Sequence, residues 1–217
     1  PSNLSCIVFS VDQAAFPCGF LAASRAFQQN PAAAKVGYVA GPKIPPIDQF
    51  TVSFTAGVNY FNTKYGKLVD VSGVNAAIFT DTLLGAHLAD SLMQKGAEVI
   101  FACAGSTGNG ALYQVKARGK TAIGVDTDQY LTIPDVGNIL MTSCMKNLRS
   151  GILNGVQSIK NGTFQGGKTL TSTLLEKGVD LAPYHDFETQ IPDSIKTAVN
   201  EIKSKIIDGT LPTGWPK

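Results

Sequence analysis

The sequence predicts an α/β fold built on a mostly parallel sheet, and three observations predict it. Short apolar runs alternate about five times with amphipathic helical segments, the pattern of strand–helix units. The central runs, Val99-Ile-Phe-Ala-Cys103 and Thr121-Ala-Ile-Gly-Val125, are apolar without alternation, as strands covered on both faces are. Each run stops abruptly at Gly, Ser, Thr, Asn or Asp. In a parallel sheet such polar turns gather at the carboxyl ends of the strands, where ligands bind.

Taken in order, residues 4–9 read as an opening strand. A helix follows from Asp12-Gln13, with Phe16, Phe20, Ala23 and Phe27 at helical spacing and Pro17 in its first turn, where a missing N–H costs little. Residues 35–40 are the next strand, stopped by the stiff turn Gly41-Pro-Lys-Ile-Pro-Pro46. Residues 47–62 form a helix with Ile47, Phe50, Phe54, Val58 and Phe61 on one stripe. Residues 68–72 are a strand, 76–81 a loop and 82–95 a helix stopped by Gly96.

The two central strands flank a glycine-rich loop, residues 105–110, and a short helix, residues 111–118, closed by Gly119. Residues 139–144 make one more strand and 146–160 one more helix, ending at Asn161-Gly162. Beyond it the pattern weakens: residues 168–175 are strand-like, 180–192 irregular. Asp193 is placed to cap a last amphipathic helix carrying Ile195, Val199, Ile202 and Ile206.

Composition narrows the function. A chain of 217 residues buries about 70% of its extended surface. The net charge is only +2 and no basic stripe is visible, so nucleic acid is not an expected partner. No apolar run approaches the ~20 residues of a membrane span. The four cysteines, Cys6, Cys18, Cys103 and Cys144, form no CxxC pair and have only His87 and His185 for company. Neither a metal nor a cofactor is expected, and Cys103 reads as a buried thiol in a core strand.

Three loops are candidates for chemistry. Gly105 to Gly110 has the spacing G-x-x-G-x-G with no Lys-Ser/Thr after it, so it is neither a dinucleotide loop nor a P-loop. It reads as a phosphate cradle of bare backbone N–H groups, as a turn that needs small residues, or, the preferred reading, as a loop whose N–H and hydroxyl donors, Ser106 among them, meet a neutral polar ligand. Asp126 and Asp128 read as an acid–base pair, as turn or cap residues, or as carboxylates that grip adjacent sugar hydroxyls through charge-assisted hydrogen bonds. Phe79, in a loop after a strand, is a core residue or an aromatic for stacking on a base.

A set of motifs carries a family resemblance. They are Lys35-Val-Gly-Tyr-Val-Ala-Gly41, Ile44-Pro-Pro-Ile-Asp-Gln-Phe50 with Ala56-Gly-Val58, and Val99-Ile-Phe-Ala-Cys-Ala-Gly-Ser-Thr-Gly108. Ala122-Ile-Gly-Val-Asp-Thr-Asp-Gln-Tyr130, Met141-Thr-Ser-Cys-Met-Lys146, Gly162-Thr-Phe-Gln-Gly-Gly167 and Gly178-Val-Asp-Leu-Ala-Pro183 continue the series. In this order, over nearly the whole chain, they resemble the basic membrane protein family, the purine-nucleoside-receptor-like substrate-binding proteins of ABC transporters.

The resemblance implies a type I periplasmic-binding-protein fold, a three-layer α/β/α arrangement in two lobes with the ligand clamped between them. It implies that Asp126 and Lys146 hold ribose hydroxyls, that Gly105 lies against the ligand and that Phe79 walls the base. It further implies that on the order of a hundred residues precede the point matching Pro1, about one small domain, so that most of the first lobe is not in this chain. Residues 1–15 then end the first lobe, 16–139 form the second, and 140–217 return toward the first and close the fold. A first lobe or a partner chain is expected to cover the apolar stripe Leu148, Ile152, Val156 and Ile159.

The function implied is binding of a purine nucleoside (inosine, guanosine or adenosine) for delivery to an ABC permease, at an extracytoplasmic location, as a cell-surface lipoprotein or a secreted protein. A sensor or regulatory domain on the same fold is the alternative. A nucleoside-processing enzyme is disfavoured by the absence of a nucleophile–base pair, a metal cluster or a P-loop.

Overall fold

The computed structural model describes residues 3–216; residues 1, 2 and 217, the outer ends of the first and last expected segments, lie outside the described residues. The chain opens with β1 (Cys6–Phe9) and α1 (Asp12–Gln29), followed by β2 (Lys35–Ala40), α2 (Pro45–Tyr65), β3 (Asp70–Asn75) and α3 (Thr82–Gln94). It continues with β4 (Val99–Cys103), α4 (Gly105–Ala117), β5 (Thr121–Asp126) and a single helical turn, α5 (Gln129–Thr132). After a 3-10 turn at Pro134–Ile139 come β6 (Leu140–Lys146), α6 (Leu148–Lys160), β7 (Thr169–Ser172), β8 (Val179–Leu181) and α7 (Asp193–Ile207).

Six strands form one sheet in the order β3-β2-β4-β5-β6-β8. All neighbours are parallel except β8, which runs antiparallel to β6. One face is covered by α1, α2 and α7, with Phe20, Phe54, Phe101 and Ile202 in its core; the other is covered by α3 and α4, with Ile100, Leu112 and Leu140. The result is three layers, α/β/α. Phe54 of α2 stacks on Phe101 of β4 with centroids 5.0 Å apart, a contact worth about 0.5–1.5 kcal/mol beyond the area it buries.

Glycines set the spacing of the helix pairs. Where α1 crosses α2, a Cβ on Gly19 would lie 1.9 Å from the Phe54 carbonyl oxygen, and one on Gly57 would lie 1.9 Å from that of Phe16. Where α3 crosses α4, a Cβ on Gly85 would meet the Thr107 oxygen at 1.8 Å, and one on Gly110 the Thr82 oxygen at 1.9 Å. This corrects the reading of residues 105–110 as a loop. Helix α4 begins at Gly105; Gly110 is small so that α3 can lie backbone to backbone against it, while Gly105 and Gly108 face Phe79 and Ala102.

Other boundaries move for local reasons. The Asn62 side chain bonds both the N–H and the carbonyl of Val69, so pairing of β3 begins at Asp70 and runs to Asn75, beyond the expected strand at 68–72. Lys146 is the last residue of β6, paired with Val179, and does not start a helix; Asn147 caps α6 by accepting from the Ser150 N–H. Pro192, not Asp193, holds the cap position of α7. Its carbonyl accepts from Ile195 and Lys196, and Asp193 pairs with Lys196 at 3.1 Å.

Outside the six-stranded sheet, β1 and β7 form a two-stranded parallel pair. The buried Gly151 of α6 sits against Ile7 and Phe9 of β1, while Leu148, Ile152, Val156 and Ile159 are each more than half exposed. The tail returns to the body: buried Asp12 accepts from Gln49 Nε2 at 2.8 Å and from Thr213 Oγ1 at 2.7 Å.

The helix seams make a signed prediction. In an open helix, Gly→Ala stabilises by about 0.5–1 kcal/mol. Gly57→Ala should reverse that sign and destabilise by about 1–3 kcal/mol, because backbone must move. Gly155→Ala in α6, with open space around it, should keep the favourable sign. Urea midpoints of the two variants measure both.

Candidate functional site

The parallel strands β2, β4, β5 and β6 end on one edge of the sheet. Because β3 lies outside β2 while β5 lies beyond β4, the chain leaves β2 and β4 toward opposite faces, and a crevice opens between their ends. Gly41 follows β2 and donates its N–H to the Cys103 carbonyl at 3.0 Å, tying the two ends together.

The Phe79 ring lies on Gly41. A Cβ at Gly41 would fall 2.1 Å from Phe79 Cε1, so only glycine lets the ring settle there. The loop holding Phe79 is fastened by buried Thr107. Its N–H donates to the Phe79 carbonyl at 3.0 Å, and its hydroxyl donates to Ile78 O at 2.9 Å and accepts from the Asp81 N–H at 3.0 Å. Phe79 therefore has a fixed backbone while the residue stays 36% exposed. Gly105 takes φ +57°, and a Cβ there would stand 3.1 Å from Phe79 O. Ser106 is exposed in the first turn of α4.

Two strands further on, Asp126 ends β5 with φ +67°. A non-glycine residue held there costs about 1–3 kcal/mol and persists only where its surroundings impose it. Buried Gln129 does so: its Oε1 accepts from the Val125 N–H at 2.8 Å, its Nε2 donates to Asn109 Oδ1 at 3.1 Å, and its own N–H donates to Ser143 Oγ at 3.1 Å. The parallel register sets Asp126 beside Met145, so the next residue, Lys146, reaches it with Nζ 2.8 Å from Oδ1. Lys146 Nζ also lies 5.0 Å from the centroid of the buried Phe50 ring, a cation–π contact that steadies the ammonium. Asp126 Oδ1 is buried, so the exposure of this half-exposed carboxylate lies away from the lysine side. Beside the pair is a cavity of about 500 Å³ lined by both residues and by Asn147, Arg149, Lys177 and Asp180.

Asp128 is drawn elsewhere. Its Oδ2 is 2.8 Å from His185 Nε2, and the His185 ring stacks on Tyr130 at 3.9 Å and 9°. Tyr130 Oη donates to Asp186 Oδ1 at 3.0 Å, and that bond pushes the phenol above its ordinary pKa. Asp126 and Asp128 thus have different partners: a lysine at the strand ends for one, an imidazole from the 3-10 turn His185–Phe187 for the other. The structure brings Phe79 and Gly105 into one cluster and Asp126 and Lys146 into another on the same edge. Gly41, Phe50 and His185 are parts of these arrangements that the sequence did not single out. His87 is exposed on α3.

Comparison with known proteins decides the family. The model of the Bmp family, described as ABC transporter substrate-binding protein PnrA-like, matches residues 2–212. The chain belongs to the basic membrane protein family. Among its members, basic membrane protein B of Borreliella burgdorferi is 29% identical over 192 residues, covering 87% of this chain and 53% of that protein. An uncharacterized lipoprotein of Pyrococcus abyssi is 30% identical over 220 residues, covering 93% of this chain and 53% of that one. The ABC transporter nucleoside-binding protein BmpA of Lactococcus lactis is 28% identical over 223 residues, with 96% and 60% covered.

A crystal structure of an ABC transporter solute-binding protein from Aeropyrum pernix superimposes with a TM-score of 0.86 at 26% identity, over 97% of this chain and 66% of that one. The fold is therefore that of the periplasmic-binding-protein-like ABC solute-binding proteins, and this chain spans about half the length of the curated relatives it matches.

Cys103 is fully buried at the end of β4. Burial, with a smaller contribution from Asp126, pushes its thiol far above the ordinary range. Cys18 and Cys144 are buried as well, and burial likewise raises the Cys144 thiol; Cys6 is exposed, and all four are free. Thiolate is the reactive form. A thiol reagent at neutral pH should modify Cys6 in the native protein and leave Cys103 unmodified until denaturant is added, as mass spectrometry of the digested protein would show.

Proposed function

We infer that this chain supplies the strand-end half of a binding site for a purine nucleoside, in a solute-binding protein that hands its ligand to an ABC permease. The single observation that carries the reading is the Asp126–Lys146 pair, set across adjacent strand ends on the same edge as the open ring of Phe79. The open oxygen of the Asp126 carboxylate has two lone pairs and suits the two neighbouring hydroxyls of a ribose, which donate to it. Lys146 offsets the charge of Asp126 and can donate to a ribose oxygen in turn. The exposed ring of Phe79 offers its face to the base, and the absence of a side chain at Gly105 lets the ligand approach the backbone. Ser106 adds a hydroxyl at the rim, whereas Asp128, held by His185, acts by fixing the Asp126 loop.

The nucleoside-binding name of the Lactococcus relative supports the ligand class, and the lipoprotein name of the Pyrococcus relative supports an extracytoplasmic, membrane-attached setting. No helix among the described residues is long and apolar enough to cross a membrane. The ligand is bound and released unchanged in this reading, and inosine, guanosine and adenosine are the candidates.

Each hydrogen bond to a charged group is worth about 1.5–3 kcal/mol. Removing both by Asp126→Ala should weaken nucleoside binding by on the order of a hundredfold or more. Titration calorimetry of the intact protein with inosine and guanosine checks this, and hypoxanthine, which lacks the ribose, should lose a similar amount. Equal affinity of wild type and variant would remove Asp126 from the site. No binding of any nucleoside by either would contradict the function.

A further inference from the structure

The strand ends order the site along one line. From Gly41 and Gly105, where Phe79 stands, the edge passes Asp126 at the end of β5 and Lys146 at the end of β6, then reaches Lys177, two residues before β8 begins. Lys177 is held at that edge: its carbonyl accepts from Asn147 Nδ2 at 3.3 Å, and its backbone takes φ +56°. Beyond the ribose-binding pair this line runs into the cavity of about 500 Å³, whose charge is unbalanced. Asp126 is paired with Lys146, and Asp180 with Lys203 at 2.5 Å. Among the described residues, Arg149 and Lys177 have no carboxylate within 4.0 Å. Arg149 stands in the first turn of α6, which carries no acidic residue, so the positive end of that helix adds to the same field.

A nucleoside has a matching order. Its base leaves the ribose at C1′, its two hydroxyls follow at C2′ and C3′, and its 5′ carbon leaves at C4′, on the other side of the ring oxygen from the base. With the base at Phe79 and the hydroxyls on Asp126, the 5′ carbon points away from Phe79. We propose that the cavity lined by Arg149 and Lys177 receives an anionic group on the 5′ carbon, so that the site accepts nucleoside 5′-monophosphates as well as nucleosides. This rests on the ribose assignment made above. A guanidinium fork and a flexible ammonium are the two side chains that bind phosphate best.

The test compares inosine, inosine 5′-monophosphate and inorganic phosphate by calorimetry on the intact protein, with an Arg149→Gln/Lys177→Asn double variant. Asparagine tolerates the backbone at position 177. The monophosphate should bind about tenfold tighter than inosine at low salt, and the advantage should shrink as salt is raised. The double variant should lose that advantage while keeping the wild-type affinity for inosine, which also reports that it has folded. Inorganic phosphate should compete with the monophosphate and leave inosine binding unchanged. A monophosphate that binds no better than inosine, or an advantage that survives in the double variant, overturns the proposal while leaving the nucleoside site in place. Failure of both ligands to bind overturns both readings, and binding of the monophosphate alone would support the cationic cavity against a site for neutral nucleosides.

Discussion

A parallel sheet brings the carboxyl ends of its strands to one edge, and here two adjacent ends are joined by the ion pair between Asp126 and Lys146. Its existence follows from register. Asp126 lies opposite Met145, so the residue after Met145 is within reach of the carboxylate. Its orientation follows from Gln129, which bonds the backbone before Asp126 and anchors the turn after it to α4 and β6. The left-handed backbone at Asp126 is the cost, and a side chain directed off the end of the strand is the result.

Away from that pair, glycines set how closely the covering helices pack. Close backbone approach at Gly19 and Gly57 on one face, and at Gly85 and Gly110 on the other, draws each helix pair into a thin layer. The α4 seam also sets Thr107 against the loop of Phe79, so the packing of α3 on α4 and the placement of the aromatic wall are one arrangement. On the far side of Lys146, α6 keeps its apolar stripe exposed while Gly151 rests on β1. Relatives in the family are nearly twice as long as the matched region.

Much of this was legible in the sequence because burial writes itself locally. Strands β4 and β5 are apolar on both faces, and a carboxylate that ends such a run, as Asp126 does, stands out against it. Other features depend on partners remote in the chain. Lys146 looks like a helix residue until Val179 pairs with it, and His185 is featureless until Asp128 is found beside it. In the run Gly105 to Gly110 the demand for small residues at Gly110 looks the same whether the neighbour is a ligand or a second helix, and only the position of α3 tells them apart. Gly41 belongs to the same class, since its role is set by a ring thirty-eight residues away. Lys146 enters as a site candidate only through family resemblance, and the register of β5 on β6 explains why it meets Asp126.

The central claim is that Asp126 grips the ribose hydroxyls, and a thermodynamic cycle between ligand and protein tests it most directly. Inosine and 2′-deoxyinosine are titrated into the intact protein and its Asp126→Ala variant. If Asp126 accepts from the 2′-hydroxyl, the wild type should prefer inosine by about tenfold or more, the value of one hydrogen bond to a charged group. The variant should then bind the two ligands nearly alike. A preference for inosine that persists undiminished in the variant would contradict the account, because the hydroxyl would then be held by another residue.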